Sequence, residues 1–224
     1  MSSPEERVLA VPRDALARAG LQTGVTLGEA SGSVVKSIFE SGDFLDRSKV
    51  ERNPSWLQPI PCAVVKAGAS YLTLRRGEAR RDSPLHGKYV IWVGGHVRVE
   101  DSSGDQEGSN FLTTSLIREI EEELSISTNE FEFLGLVVPA GSLHFAILYE
   151  ATISPTLIPD VAPNGEFLTP KARKIQARFL TMPSILDLYP RLDIWSKLAV
   201  RDIYQRRTRL GFDPQLTLWR SDRR

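Results

Sequence analysis

A short charged segment with helical spacing constrains this chain more than any other feature. From residue 118 to residue 126 the sequence reads Arg-Glu-Ile-Glu-Glu-Glu-Leu-Ser-Ile. On a helix, Glu119, Glu122 and Glu123 take positions i, i+3 and i+4 and fall within an arc of roughly 100°. The aliphatic residues of the neighbouring arc are Leu116, Ile117, Ile120 and Leu124. The pattern predicts an amphipathic helix with one flank on a core and a dense negative cluster on the other.

Two interpretations of this cluster are open on the segment alone. Like charges at i, i+4 repel, and a bridging cation would remove that cost. Carboxylate oxygens suit Mg²⁺ or Mn²⁺, which commonly work with phosphate groups. Alternatively, the glutamates form an ordinary solvated face, with Arg118 and Glu122 as a simple i, i+4 ion pair.

Composition and charge restrict the class of protein. The 224 residues suit one domain with extensions or two small domains, and the formal net charge of zero gives no bulk attraction to nucleic acid or anionic lipid. Cys62 is the single cysteine, so no internal disulfide forms and a reducing compartment is favoured. The first residues lack the apolar region of a signal peptide, and no apolar stretch is long enough for a membrane span. We therefore expect a cytoplasmic protein with Cys62 buried as a small hydrophobe.

The chain is expected to divide into an N-terminal extension, residues 1–55, and a main domain, residues 56–224. Within the extension, Val8 to Val11 predicts a short strand, and Asp14 predicts the N-cap of a helix that ends near Gly20. The segment 52–61 contains three prolines and is expected to be irregular, because proline cannot donate to a β-ladder.

The main domain alternates between strand and helix patterns. Strands are predicted at 63–66, 71–75, 89–93, 133–138, 143–153 and 175–181, and helices at 111–125 and 193–209. The first two strands form a hairpin around Gly68. This order favours a layered α/β or α+β fold.

The acidic segment, together with the glycine pair Gly94-Gly95 upstream of it, resembles the Nudix box. The family pattern is a glycine, then a glutamate, then Arg-Glu-U-x-Glu-Glu-x-Gly-U, where U is aliphatic. The matching positions here are Arg118, Glu119, Ile120, Glu122, Glu123 and Ile126. The resemblance covers roughly residues 60–181, and it implies an α/β/α sandwich with a mixed sheet, carrying the N-terminal extension and a C-terminal helix.

The sequence departs from the family pattern at three points. Ser125 replaces the glycine that helps the chain leave the helix. The polar stretch 102–109 is expected to be an inserted loop. The upstream glutamate of the pattern is replaced either by Asp101, counted forward from Gly95, or by Asn110, counted backward from the helix.

The resemblance implies metal-dependent hydrolysis of a diphosphate, in most family members a nucleoside diphosphate linked to another group. Glu119, Glu122 and Glu123 would hold Mg²⁺ or Mn²⁺, and Arg118 would orient these carboxylates. The glycines Gly94 and Gly95 would let the backbone turn sharply beside the site. Family members place the general base in the box or in a later loop, which suggests Glu122, Glu123 or Glu166 here, with Glu150 as a second candidate.

Phosphate contacts are expected from basic residues near the box. The candidates are Arg75, Arg76, Lys88 and His96, with Arg80 and Arg81 in the following loop. Arginine is favoured because its fork of N–H groups matches phosphate oxygens. The alternative is a solvated basic loop, and for His96 a hydrogen-bonded loop histidine. Tyr89 or Trp92 is a candidate for stacking on a base.

Three other functions fit parts of the sequence. The replaced upstream glutamate, Ser125 and the insertion are compatible with a catalytically weak domain that binds nucleotides as a regulator. Isomerisation of an isoprenyl diphosphate is disfavoured because Cys62 lies too far upstream in the pattern. Residues 1–55 and the C-terminal helix also suit an interaction surface, such as a homodimer contact.

Overall fold

The computed structural model describes residues 6–27, 29–76, 87–102, 110–154, 167–169 and 172–209. Its strands are β1 (Arg7–Pro12), β2 (Gly24–Thr26), β3 (Asp43–Asp46), β4 (Trp56–Ala67), β5 (Ser70–Arg75), β6 (Tyr89–Val90), β7 (Val93–Gly94), β8 (Phe131–Val138), β9 (His144–Ile153), β10 (Phe167–Thr169) and β11 (Ala172–Thr181). Its helices are α1 (Arg13–Arg18), α2 (Glu29–Ser41), α3 (Arg47–Val50), α4 (Phe111–Leu124), α5 (Met182–Asp187) and α6 (Ile194–Arg209).

A mixed sheet organises the molecule. Its strand order is β10-β11-β5-β4-β9-β8-β2, with β6 added beside β5 and β7 beside β4. The central pair β4 and β9 runs parallel over ten residue pairs, and the other pairings are antiparallel. The layered fold of sheet and helices predicted from the sequence is confirmed, and the hairpin around Gly68 is present, with that glycine at a φ of +59°.

The N-terminal residues contribute strands to this architecture. β1 pairs with β3 and also with β4, where Val11 faces Leu57. β2 extends the far edge of the sheet by pairing with β8. Leu9, Val11, Leu16, Val34 and Ile38 are buried in the same core as the central strands. The expected strand at Val8–Val11 is present.

Two details of the N-terminal half differ from the sequence expectations. Asp14 does not cap α1: the N-cap is Pro12, and Asp14 instead pairs with Arg18 within the helix at 2.7 Å. The segment around Pro59 and Pro61 is part of β4, paired with Phe145 and Ile147 of β9. The expectation of an irregular segment is confirmed for residues 52–55 but was wrong from Trp56 onward, because only alternate residues of a strand donate toward one neighbour.

The alternating direction of the backbone N–H groups along β4 explains why this strand tolerates Pro59 and Pro61. Gln58 donates its backbone N–H to Leu143 O at 2.9 Å, on the β9 side of the strand. The nitrogens of Pro59 and Pro61 therefore point away from β9, so the missing donors remove no bond of the parallel ladder.

Helix α4 follows the predicted amphipathic pattern, except that Ile117 is only partly buried and Leu112 completes the buried face. Leu112, Leu116, Ile120 and Leu124, each four residues apart, are fully buried against the sheet, where the helix packs on β4 and β7. Asn110 caps its first turn by accepting from Leu112 N at 2.9 Å. Ser125 ends it in the left-handed conformation, with a φ of +55° and a backbone bond to Glu121 O. Serine therefore adopts the conformation that glycine takes more easily.

No helix within the described residues has the length and apolar character needed to cross a lipid bilayer.

Candidate functional site

The glycine pair brings the sheet and helix α4 into direct contact. A Cβ on Gly94 would lie 2.1 Å from Pro61 O of the adjacent strand. A Cβ on Gly95 would lie 2.4 Å from Oε1 and 2.9 Å from Oε2 of Glu119. Gly94 therefore requires glycine, because its Cβ would meet backbone atoms, and the missing side chain of Gly95 leaves the space that the Glu119 carboxylate occupies.

Arg118 fixes this carboxylate from the other side. Its guanidinium donates to Glu119 Oε1 at 2.6 Å and to His96 O at 3.0 Å. It also forms a bidentate pair with Asp101, with Nε–Oδ1 at 2.8 Å and Nη2–Oδ2 at 2.9 Å. Burial alone would lower the pKa of Arg118, but the hydrogen bonds that it donates to Asp101 and Glu119 outweigh this effect and raise that pKa. Arg118 therefore remains a cation that joins α4 to the loop after β7.

The structure distinguishes the two candidates for the upstream acidic position. Asp101 is buried, and besides pairing with Arg118 it accepts the backbone N–H of Arg98 at 2.8 Å. Asn110 caps the helix instead. Asp101 is therefore the residue that joins the acidic helix electrostatically to the upstream loop.

The side chains of the three glutamates differ in their exposure to solvent. The exposed fractions of their side chains are 7% for Glu119, 15% for Glu123 and 34% for Glu122. Arginines lie near each of them: Arg98 is 3.9 Å from Glu119 and 3.8 Å from Glu122, and Arg76 is 3.9 Å from Glu123. In this arrangement arginine guanidinium groups provide the counter-charge for the carboxylate cluster.

Arg98 is a site residue that the sequence patterns did not indicate. Its Nε lies 3.2 Å from Glu6 in the N-terminal segment, while its terminal nitrogens face Glu119 and Glu122. Glu6 in turn pairs with Arg47 at 2.8 Å. No sequence motif links these positions. They lie close together because Val8 of β1 forms an antiparallel β-bridge with Arg98.

The expected phosphate ligands lie in different environments. Arg76 is partly buried, its guanidinium lies 5.6 Å from the centre of the Trp92 ring, and it is close to Glu123. Arg75 and Lys88 are exposed on the neighbouring strand and loop. Trp92 is buried and stacks on Trp195 at 5.3 Å, so it does not offer an open face to a base. Arg76 is the basic candidate that the structure brings to the carboxylates.

His96 directly follows the glycine pair and lies beside a second histidine. Its Nε2 is 3.4 Å from Nε2 of His144, and one carboxylate oxygen of Glu51 lies within 4.8 Å of one ring nitrogen of each histidine. Burial, with Arg47 and His144 nearby, lowers the pKa of His96 to about 4. Burial also lowers the pKa of His144. Both rings are therefore neutral at pH 7.

Cys62 is fully buried, as expected from the sequence, but it is not remote from the site. It pairs with Gly94 across β4 and β7. Burial raises the pKa of the thiol well above its usual value, and the charge of Asp193 adds to this. The thiol therefore stays protonated and lacks the thiolate that a nucleophile needs.

Glu166, Arg80 and Arg81 lie outside the described residues, as does most of the insertion (residues 103–109). Glu150, the second candidate base, is partly buried and pairs with Lys66 at 3.2 Å.

Comparisons with known proteins agree with this architecture. No family model matches the chain. Protein YmaB of Bacillus subtilis (strain 168) is 25% identical over 212 residues, covering 89% of this chain and 98% of that protein. The crystal structure of Tm1382, described as a candidate Nudix hydrolase, has a TM-score of 0.69 at 20% identity and covers 89% of this chain and 99% of that chain. A MutT protein from Methanosarcina mazei Go1 is more distant, with a TM-score of 0.47 at 20% identity over 70% of this chain and 96% of that chain. The sheet topology, the contact between Gly95 and helix α4, and the similarity to Tm1382 together show that this chain has the Nudix fold.

Proposed function

We propose that this protein is a metal-dependent hydrolase that cleaves a diphosphate bond in a nucleoside diphosphate derivative or a similar organic pyrophosphate. One observation carries the proposal: Glu119 is buried against Gly95 and held by Arg118, with Glu122 and Glu123 on the same helical turn. A buried carboxylate with two further carboxylates beside it is costly unless positive charge compensates it.

The donor set fits a divalent cation with hard oxygen ligands. Glu119, Glu122 and Glu123 would hold Mg²⁺ or Mn²⁺, both of which prefer carboxylates to nitrogen ligands. Such an ion, when bound, neutralises the diphosphate and lowers the pKa of a coordinated water. Arg76 and Arg98 lie 3.8–3.9 Å from these carboxylates, so a bound ion would take over part of the counter-charge that the two arginines now supply.

The other residues have separate tasks in this proposal. Arg118 and Asp101 keep Glu119 in one position through the bidentate pair, so that little rearrangement is needed when substrate binds. Arg76 lies beside Glu123 and contributes a charge that a phosphate can share. The proton of the attacking water passes to a glutamate, for which Glu122, Glu123 and Glu166 are the candidates.

A screen of nucleoside diphosphate derivatives with Mg²⁺ and with Mn²⁺ tests the activity. Glu122→Gln keeps the size of the side chain but removes its charge, and we expect turnover to fall at least ~100-fold, since even residues that only support metal ligands cost 10–100-fold. Glu121→Gln is the matched control, because Glu121 is an exposed neighbour on α4 that accepts from Ser127. Full turnover by Glu122→Gln would place the chemistry elsewhere.

A nucleotide-binding regulator without turnover is the second candidate. It is favoured by the arginines that already face each carboxylate and by Asp101, which is engaged with Arg118. This function predicts nucleotide binding without product, and a binding constant that Glu122→Gln leaves unchanged.

A further inference from the structure

Three residues that are distant in the sequence converge next to the carboxylate helix. Glu51 directly follows α3, His96 lies in the loop after β7, and His144 begins β9. One ligand atom from each lies within 4.8 Å of the other two, and in the part of the chain that the structure describes this is the one such group of three histidine, cysteine or acidic side chains. The carboxylates of α4 do not form such a group.

The geometry of the histidine pair matches coordination to a common ion. The two Nε2 atoms are 3.4 Å apart, and the ring planes cross at 78°. Two Zn–N bonds of about 2.0–2.1 Å at a tetrahedral angle place the nitrogens about 3.3–3.4 Å apart. Both rings would thus need little movement to bind one ion, whereas the Glu51 carboxylate would move inward. A hydrogen bond between two neutral rings gives a similar distance between the nitrogens, and titration with metal distinguishes the two cases.

Hydrogen bonds fix the backbone beside both rings. The backbone carbonyl of His96 accepts from Arg118 at 3.0 Å, and the backbone N–H of His144 donates to Ser142 Oγ at 2.9 Å. Gln58 lies beside His144 in the parallel register of β4 and β9, hence on the same face of the sheet. Its amide is fully buried, and neither its oxygen nor its nitrogen has a hydrogen-bond partner among the described residues. A buried polar group of this kind is costly and indicates a ligand or water that would satisfy it.

The donor atoms of the group suit a cation that prefers nitrogen. The charge of Arg47 acts on both rings, and Arg47 is paired with Glu51 at 2.7 Å and with Glu6 at 2.8 Å. Glu51 is exposed and can rotate from Arg47 toward the rings, in which case Glu6 remains the partner of Arg47. Two imidazoles and one carboxylate suit Zn²⁺ and similar transition metals, whereas Mg²⁺ prefers oxygen ligands.

We infer that Glu51, His96 and His144 form a transition-metal site, distinct from the carboxylate cluster of α4. Three protein ligands leave one position of a tetrahedral ion open to water or another small ligand. The site joins the N-terminal segment, the glycine loop and the central strand pair, so a bound ion would fasten these three parts together. It gives His96 a ligand role in place of substrate contact, and it does not depend on the proposed hydrolase activity.

Titration of the full chain with Zn²⁺ against a chromophoric chelator tests the site. We expect one equivalent to bind, a raised melting temperature, and no displacement by a large excess of Mg²⁺. His144→Gln should weaken binding at least ~100-fold, given that even supporting residues cost 10–100-fold. Glu51→Gln, on an exposed residue that does not endanger folding, should weaken it about tenfold or more. His86→Gln, the same change at the third histidine of the sequence, is the matched control and should bind as the unaltered chain does.

Three results would overturn the inference. They are no stoichiometric binding to the unaltered chain, unchanged binding by both Glu51→Gln and His144→Gln, or loss of binding in Glu122→Gln. The last result would assign the ion to the α4 carboxylates. Conversely, Zn²⁺ binding that survives Glu122→Gln while diphosphate cleavage does not would show two separate sites.

Discussion

Replacing Gly95 by alanine tests the contact on which the carboxylate cluster depends. The added Cβ would meet Glu119 at 2.4 Å from Oε1 and 2.5 Å from Cδ, whereas ordinary contacts begin at 3.4 Å. The carboxylate must therefore retreat by about 1 Å, the difference between the two distances. It cannot do so freely, because Arg118 holds Oε1 at 2.6 Å and the side chain is only 7% exposed.

The expected cost of Gly95→Ala follows from this displacement. Overpacking of a filled interior typically costs 1–3 kcal/mol, so we expect the free energy of unfolding to fall by about 2 kcal/mol. A reacting group misplaced by about 1 Å can lose ~100-fold in rate, so diphosphate cleavage should fall by about that factor. Urea unfolding measures the first effect and steady-state kinetics the second.

A double-mutant cycle identifies the cause. In a Glu119→Ala background the Cβ has space, so Gly95→Ala should cost less stability there, with a coupling energy of about 1–2 kcal/mol. Gly32→Ala is the matched control: it lies in α2 with nothing within 4 Å of the added Cβ, and it should gain up to about 1 kcal/mol in stability without affecting turnover. Equal stability and activity of Gly95→Ala and Gly32→Ala would refute the reasoning.

Three further changes probe the same structure. Arg118→Ala should lower the free energy of unfolding by about 3 kcal/mol, because it leaves the buried carboxylate of Asp101 unpaired, and adding Asp101→Asn should recover part of this loss in urea unfolding. Ser125→Gly should raise the melting temperature, since glycine relieves about 1 kcal/mol of cost at a φ of +55°. Burial raises the pKa of Tyr149 from 10.0 to about 12, so its contribution to stability is complete below pH 10 and is lost as pH rises through 12. Between pH 10 and pH 11, the free energy of unfolding should therefore fall by about 1 kcal/mol less in Tyr149→Phe than in the unaltered chain. Urea unfolding of both proteins at each pH measures this difference.

Local periodicity made the acidic helix predictable. The four-residue spacing of Leu116, Ile120 and Leu124 is a property of the segment itself, and the structure buries all three. The same holds for the hairpin around Gly68, where a residue with positive φ separates two apolar runs. These features require no knowledge of distant partners, because helix and turn geometry relates residues a few positions apart.

Features that depend on pairing between distant strands were not predictable in the same way. The prolines of β4 looked incompatible with a ladder, but their effect depends on which side each nitrogen faces, and only the register with β9 decides that. Likewise, Glu51, His96 and His144 come together because β4 and β9 run parallel and β1 pairs with β4. No spacing within the sequence predicts that these three residues lie close together, since they belong to three separate parts of the chain.

The N-terminal segment also changes how the carboxylate helix must be understood. Arg98 lies 3.2 Å from Glu6 and within 3.9 Å of Glu119 and Glu122, so carboxylates of two different parts of the chain share one guanidinium. Any cation that binds on α4 competes with Arg98 for those glutamates, because like charges repel at this distance. Glu6 is already in contact with the guanidinium and can keep its charge compensated when that competition occurs. The electrostatics of the carboxylate cluster therefore involve residues outside the segment that resembles the Nudix box, beginning with Glu6.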